Sequence, residues 1–365
     1  VSDQHSKAAS QRLQQTGSAL ILAMLVTAMV AVLATQFAES FVRSASMAEA
    51  RLMQQRFDTY LQGAETLAAQ VLLMDSQRAG DRPAEPVDHL GESWAAMLPP
   101  MPTDDGFLRV FIEDAQGRFN INNLVYKTEN FDDLGALSSV RFSAAQRHFI
   151  RMLQSLPEMA VTEAQAVAIT EAIVDWIDED DRVSGLSGAE SLYYTGAGTV
   201  AQSANQLMHD VSELAMVRHI TPQLLKALRP RVVALPVATS ININTASASV
   251  MSGVNDENTL TFAEQAVVDT FLELRDQQAF VSVTEFLQSA QQSGLPSDPG
   301  QSGDAAGQVP TYSVSSEYFL AYIQVTIGEV SRYLTSLIHR DGSGVTTLAR
   351  YHNSFHENPF ETLVN

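Results

Sequence analysis

An uninterrupted apolar run, Ser18 to Ala38 (SALILAMLVTAMVAVLATQFA), constrains this chain more than any other stretch. The run holds no charged residue, while Arg12 precedes it and Glu39 and Arg43 lie just beyond it. About 20 such residues in an α-helix, each rising about 1.5 Å, cross a hydrocarbon core of about 30 Å. A helix also satisfies every backbone amide internally, as lipid demands. No other stretch is apolar on all sides, which argues against a buried helix of a large soluble core. The short polar segment Val1 to Gly17 has Lys7 and Arg12 as its cations. Positive residues ahead of a first apolar span hold that end in the cytoplasm. The rest of the chain is therefore expected across the membrane, as a single-pass protein.

The remainder of the chain is long enough for real cores. The 365 residues suggest two to three domains. A net charge of −20 argues against a phosphate-binding surface, because nucleic-acid affinity comes chiefly from Lys and Arg. The chain has no cysteine, which removes disulfides, thiolate metal sites and cysteine nucleophiles. No GxSxG, Walker or HExxH pattern occurs, and the eight histidines are scattered, so the reading is not an enzyme.

The helical pattern continues past the membrane run. Met53, Phe57, Tyr60, Leu61, Ala64, Leu67, Ala68, Val71 and Leu72 recur at helical spacing among Arg51, Arg56, Asp58 and Glu65. One helix over roughly 18–74 is expected, its soluble half amphipathic. Phe107 to Asp114 and Gly117 to Asn122 alternate and suggest a hairpin. Ser316 to Ile327 alternates likewise, and Arg332 to Tyr351 reads as a second hairpin turning at Asp341-Gly-Ser-Gly344. One small antiparallel sheet packed on the amphipathic helix would join these distant segments, with the middle inserted.

The middle reads as helical. Ser143 to Leu156 and Thr162 to Ile177 carry helical periodicity, and Thr162-Glu-Ala-Gln165 has capping-box form. Short helices come next, at Ser212 to Val217 and after Thr221-Pro222. A second helical piece spans Asn242 to about Ala290. Ser289 to Pro310 reads as a mobile loop and the tail after Tyr351 as loose.

Two segments could carry chemistry. In Asp175-Trp-Ile-Asp178-Glu-Asp180-Asp181, followed by Gly185, Gly188 and Glu190, like charges crowd the end of a helix. That crowding and the negative helix C-terminus both favour a hard divalent cation with oxygen ligands. The spacing is not that of an EF-hand, and a solvated acidic loop fits it too. Asn205 is a weaker ligand candidate, and Asp210 reads more readily as a helix cap. The cluster has no obvious cation partner, so acid–base work has little support. The second segment is Ile241-Asn-Ile-Asn-Thr-Ala-Ser-Ala-Ser-Val250, with Phe280-Val-Ser-Val-Thr-Glu-Phe-Leu downstream. It resembles a helix-hairpin-helix module, with Asn244 or Thr245 as the helix cap. A DNA-reading hairpin needs a Gly-apolar-Gly turn; here Met251-Ser-Gly-Val-Asn-Asp-Glu-Asn has one Gly and two acids, so a structural part is expected.

Gly17-Ser18-Ala-Leu-Ile-Leu22 behind a short basic leader resembles the leader of type IV pilins and type II secretion pseudopilins. The resemblance implies that a prepilin peptidase cuts after Gly17 and methylates Ser18. Most members then carry Glu at the fifth mature position; this chain has Leu22. With the large insertion and the DWxDxD–GAE–YY block, that departure resembles the K-type minor pseudopilins (general secretion pathway protein K). The fold class implied is α+β, a pilin-like long helix plus small antiparallel sheet with a large all-α insertion, part of it helix-hairpin-helix or SAM-like. Calcium is the implied cofactor, with Asp175, Asp178, Asp180, Asp181, Glu190 and Asn205 as ligand candidates. The implied partners are the H, I and J minor pseudopilins, the major G pseudopilin, the peptidase and the inner-membrane assembly platform. The implied location is the bacterial inner membrane with the C-terminal part periplasmic, at the tip of a pseudopilus that exports folded proteins. The expected organisation is a leader (1–17), a membrane span (18–38), a first core part (39–122), an all-α insertion with the acidic loop (123–235), a second helical insertion (236–300), core strands (301–353) and a tail (354–365). The competing readings are a membrane-anchored DNA-uptake receptor and a type IV pilus minor pilin.

Overall fold

The computed structural model describes residues 4–80, 86–133, 138–157, 159–196, 202–294, 311–352 and 359–362. The chain forms two units, Val1–Tyr60 and Leu61–Asn365. Helix α1, Gln4–Gly80, contributes to both. It overshoots the expected 18–74 at each end. Residues 4–16 are mostly Ala, Gln, Ser and Arg without a breaker, and no Pro or Gly interrupts the distal end before Gly80. In the first unit, Ser18 and Leu22 lie on exposed turns, as do all the apolar side chains of the membrane run. Among the described residues one helix is long and apolar enough to cross a membrane, in keeping with the apolar run in the sequence.

The second unit runs β1 (Met101–Thr103), β2 (Gly106–Asp114), β3 (Phe119–Asn120), α2 (Ser138–Arg141), α3 (Ala144–Gln154), α4 (Glu163–Ile177), α5 (Ser191–Gly196), α6 (Pro222–Leu228), β4 (Val232–Val233), β5 (Ile241–Asn242), α7 (Ala248–Met251), α8 (Gln265–Gln277), α9 (Val283–Gln292), β6 (Tyr312–Ser313), β7 (Tyr318–Ile327), β8 (Val330–Asp341), β9 (Gly344–His352) and α10 (Pro359–Thr362). Strands β1-β2-β7-β8-β9 form one antiparallel sheet. Its β2–β7 ladder, Gly106 opposite Ile327 through Asp114 opposite Phe319, pairs the two distant segments.

Alternation decides the faces. Val110, Ile112, Phe319, Ala321, Ile323 and Val325 point inward and are buried, as are Leu61, Ala64, Ala68 and Leu72 on α1. Glu65, grouped in the sequence with the polar face, is instead buried against β8 and β9. It accepts from Ser336 Oγ (2.7 Å), Thr347 Oγ1 (3.1 Å) and Arg350 Nε and Nη2 (2.8 and 2.7 Å). Burial works to raise its carboxyl, but these bonds outweigh that and hold it below the ordinary value.

The second hairpin forms as expected, with Asp341 opposite Gly344. The first does not. At Asp114 the chain leaves the sheet through a 3-10 turn, Ala115–Gly117, because the Asp114 side chain caps Gln116 N at 2.8 Å. β3 then pairs in parallel with β4, far downstream, and the partner that closes the β2 hairpin is the short β1. The insertion has its own core, in which Phe119, Phe149, Leu153, Ile173 and Trp176 are buried. Both Ser143–Gln146 and Thr162–Gln165 form capping boxes, and Thr221 caps α6 with Pro222 in its first turn. The tail is not wholly loose: Phe360 on α10 is buried in a cluster with Leu235, Leu320, Tyr322 and Leu337. The expected loop begins later than Ser289, since α9 runs to Gln292, and its 295–310 part lies outside the described residues.

Candidate metal centre

Helix α4 sets out its acids at spacings of four and three, Glu171, Asp175 and Asp178, so they share one face. The loop beyond the helix folds back over them. Ser184 N donates to Asp175 at 3.0 Å, and Ser187 N to Glu171 at 2.9 Å. Two glycines permit the approach. Gly185 has φ +59°, and a Cβ there would stand 2.0 Å from Glu171 Oε1; at Gly188 it would stand 2.2 Å from Asp175 Oδ2. Arg218 holds the loop from outside, donating to the Gly188 carbonyl at 3.1 Å and stacking on Tyr193. Glu190 thereby arrives beside α4, and Asp175, Asp178 and Glu190 each bring an oxygen within 4.8 Å of the others.

All three are buried. Like charges in a low-dielectric setting should resist ionisation, and they do. Burial, with Asp178 adding to it against the Ser184 bonds, lifts Asp175 to about 6. Burial plus the charges of Asp175 and Asp178 lifts Glu190 to about 7. Asp178 is also raised by burial, although Lys127 Nζ, 2.5 Å from its Oδ2, opposes the shift. Asp178 Oδ1 and Glu190 Oε1 are buried and accept no hydrogen bond among the described residues. Asn205 lies alongside in a left-handed conformation (φ +46°), anchored by its N to the Trp176 carbonyl at 3.0 Å, with its Oδ1 also unpartnered among the described residues. The donor set is therefore all oxygen, with buried acceptors to spare, which suits a hard cation such as Ca²⁺ and not a thiophilic metal.

The other two candidates stay at the rim. Asp180 is exposed, accepts from Arg182 N and lies 3.8 Å from Lys127 Nζ. Asp181 is exposed and accepts from Asn205 Nδ2 at 3.3 Å. Asp210 caps the 3-10 turn Val211–Met216. Sequence reasoning missed Glu171, which Arg141 neutralises at 2.5 Å, and Lys127, the cation the cluster was expected to lack. Glu171 was findable, lying one turn before Asp175 on the same stripe. Lys127 comes from a loop some fifty residues away and left no local signal.

A second acidic grouping, Asp75, Asp88 and Glu92, also has oxygens within 4.8 Å. Arg340 on β8 fills it, donating to Asp75 Oδ2 at 2.9 Å and to Asp88 Oδ1. Beside it, Asn242 Nδ2 reaches the Asp88 carbonyl, Asp114 Oδ2 and Ser316 Oγ at 2.9–3.1 Å. Asn244 exchanges bonds in both directions with the backbone of Phe280. Neither Asn244 nor Thr245 caps the next helix: Ser247 does, while Thr245 Oγ1 donates to Asp114 Oδ2. In the turn where a DNA hairpin would offer its amides, residues 251–255 are buried and the acids Asp256 and Glu257 are exposed, and Arg151 donates to the carbonyls of Gly253, Asn255, Asp256 and Thr259. The Ile241–Thr245 segment thus bolts the insertion to the sheet.

Two family models described as type II secretion system (T2SS), protein K match residues 117–237 and 241–306. The chain is 30% identical to the type II secretion system protein K of Pseudomonas aeruginosa over 92% of each chain. It is 31% identical to that of Pectobacterium carotovorum, over 94% of this chain and 98% of the relative. Among solved structures it resembles one chain of the GspK-GspI-GspJ complex from the type 2 secretion system of enterotoxigenic Escherichia coli. That match has a TM-score of 0.63 and 25% identity, and covers 84% of this chain and 99% of the other.

Proposed function

This chain belongs to the protein K family of type II secretion systems, and from that premise we propose that it is the minor pseudopilin that starts and caps a pseudopilus. The observation that carries the proposal is Leu22. In relatives with Glu at this position the carboxylate is expected to pair with the amine of the subunit above, since an unpaired acid in lipid costs several kcal/mol. A leucine makes no such demand, so the subunit is free to sit first. The insertion is too broad to seat another subunit above it. Processing after Gly17 and methylation of Ser18 belong to the same reading, as do an inner-membrane anchor and a periplasmic second unit. The I and J types are the neighbours proposed, by analogy with the complex from Escherichia coli, and the H type, the major G type, the peptidase and the assembly platform complete the set. Growth beneath the tip would then push folded cargo outward.

In this reading Asp175, Asp178 and Glu190, with the Asn205 amide oxygen, hold one Ca²⁺. The ion would neutralise the cluster and fix the loop 179–190 against α4. The buried oxygens without partners support that assignment.

A secretion assay of Leu22→Glu in a strain lacking the native protein tests the tip role. Secretion at least tenfold lower, with the variant processed normally, is expected. Wild-type secretion, or a mature terminus other than methylated Ser18 by mass spectrometry, would overturn it.

A further inference from the structure

A cleft of about 400 Å³ opens on the outer face of the sheet and takes no part in the tip or calcium roles. Ligand pockets commonly fall between roughly 300 and 1,000 Å³. One row of register partners crosses its floor from β2 to β9: Phe111, Tyr322, Thr335 and Tyr351. Val211 and the Val232–Ala234 stretch of the insertion supply the opposite wall. Phe111 and Tyr322 stack with centroids 6.2 Å apart, which presents aromatic surface to whatever enters.

Most polar groups here are already engaged. Arg118 is bidentate on Glu113 at 2.7 Å and reaches Tyr322 Oη at 3.1 Å. Tyr351 Oη donates to the His209 carbonyl at 3.2 Å, and Asp210 caps its own turn. The exception is Thr335 Oγ1. Thr335 is 7% exposed, lines the cleft, and its hydroxyl has no hydrogen-bond partner among the described residues. Leaving a buried hydroxyl unpaired is unfavourable, whereas Val at this place would fit the same space. The adjoining row repeats the pattern: Arg109 and Gln324 face each other across β2 and β7, yet Arg109 Nε and Gln324 Oε1 lack partners among the described residues.

We propose that this cleft binds a small, uncharged, ring-containing ligand that lies on Phe111, Tyr322 and Tyr351 and exchanges a hydrogen bond with Thr335 Oγ1. Apolar walls favour burial of rings, the closed Arg118–Glu113 pair offers no free charge, and the lone hydroxyl fixes orientation.

The test uses the full chain in lipid nanodiscs with 4-hydroxybenzophenone as a photo-crosslinking probe, read by mass spectrometry. Saturable labelling of peptides covering 229–235 and 318–337 is expected, competed by 4-benzylphenol, and separable from any label on 18–38. Thr335→Val should cut that labelling at least fivefold with no drop in melting temperature. Val211→Trp, which fills the mouth from the rim, should abolish it. Label confined to the membrane helix, or unchanged labelling of the cleft in both variants, would overturn the proposal.

Discussion

The two acidic groupings make a controlled comparison. Each brings three carboxylates within 4.8 Å. At Asp75, Asp88 and Glu92 the chain supplies its own counter-charge: Arg340 bridges two acids and the Ser316 carbonyl, and Ser316 N completes Asp88 at 2.7 Å. At Asp175, Asp178 and Glu190 it supplies one ammonium at the edge and leaves oxygens bare. The first arrangement is a closed rivet between the sheet and the segment after α1. In the proposed reading, the second is completed by a cation from solution. Acid count alone does not separate the two; what separates them is whether a guanidinium reaches the centre.

The sharpest way to break this contrast is Arg340→Met. It removes the counter-charge from buried Asp88 and from half-buried Asp75, and removing one partner of a buried ion pair costs about 3–5 kcal/mol. Chemical denaturation should show that loss, and calcium should not restore it. Next in size, calcium at a hundred times its dissociation constant should stabilise the wild type by about 2.7 kcal/mol. Calorimetric scans of Glu190→Gln and Asp178→Asn should show that increment largely gone. A metal-free protein that melts identically with and without Ca²⁺ would dissolve the comparison.

The pH dependence tracks the raised carboxyls, Glu190 at about 7 and Asp175 at about 6. The folded metal-free state holds protons there that the unfolded chain releases, so this contribution is present at low pH and fades as pH rises through 6 to 7. Titrations should accordingly find calcium affinity falling as pH drops from about 7.5 toward 5, with proton release on binding. His148 acts in the opposite direction. Burial and the charge of Arg151 push it down to about 3, so its contribution to stability declines as pH falls below about 6.5. The smallest effect belongs to Lys127→Met. Removing the half-buried ammonium should lower the metal-free stability by about 1 kcal/mol, and calcium should erase most of that difference.

Much of the molecule is legible in its sequence, for local reasons. The membrane run, the amphipathic stripe, the capping boxes and the β8–β9 hairpin each depend on residues within a few positions of one another. The acidic cluster is legible in type, since Asp175 and Asp178 share a helix face. Its membership is not, because Glu190 joins only after Gly185 and Gly188 let the loop close, and Lys127 arrives from elsewhere. The failed hairpin at Asp114 has the same cause. Asp114-Ala-Gln-Gly117 is a good turn in either reading, and only the pairing of β3 with β4 decides that the chain leaves the sheet. Glu65 reads as solvent-facing because Arg350, its partner, is almost three hundred residues away.

The β2–β7 ladder carries a consequence for how the protein is made. Its two strands are separated by roughly two hundred residues, and closing so long a loop is entropically expensive and slow. While the ribosome is still extruding the insertion, β2 has no β7 to pair with, and its apolar edge lies open. The insertion, with its own core, can fold during that wait and bring the late strands close to the early one. Maturation is then gated by the emergence of β7 to β9, and a truncation before them should leave an anchored but unassembled precursor.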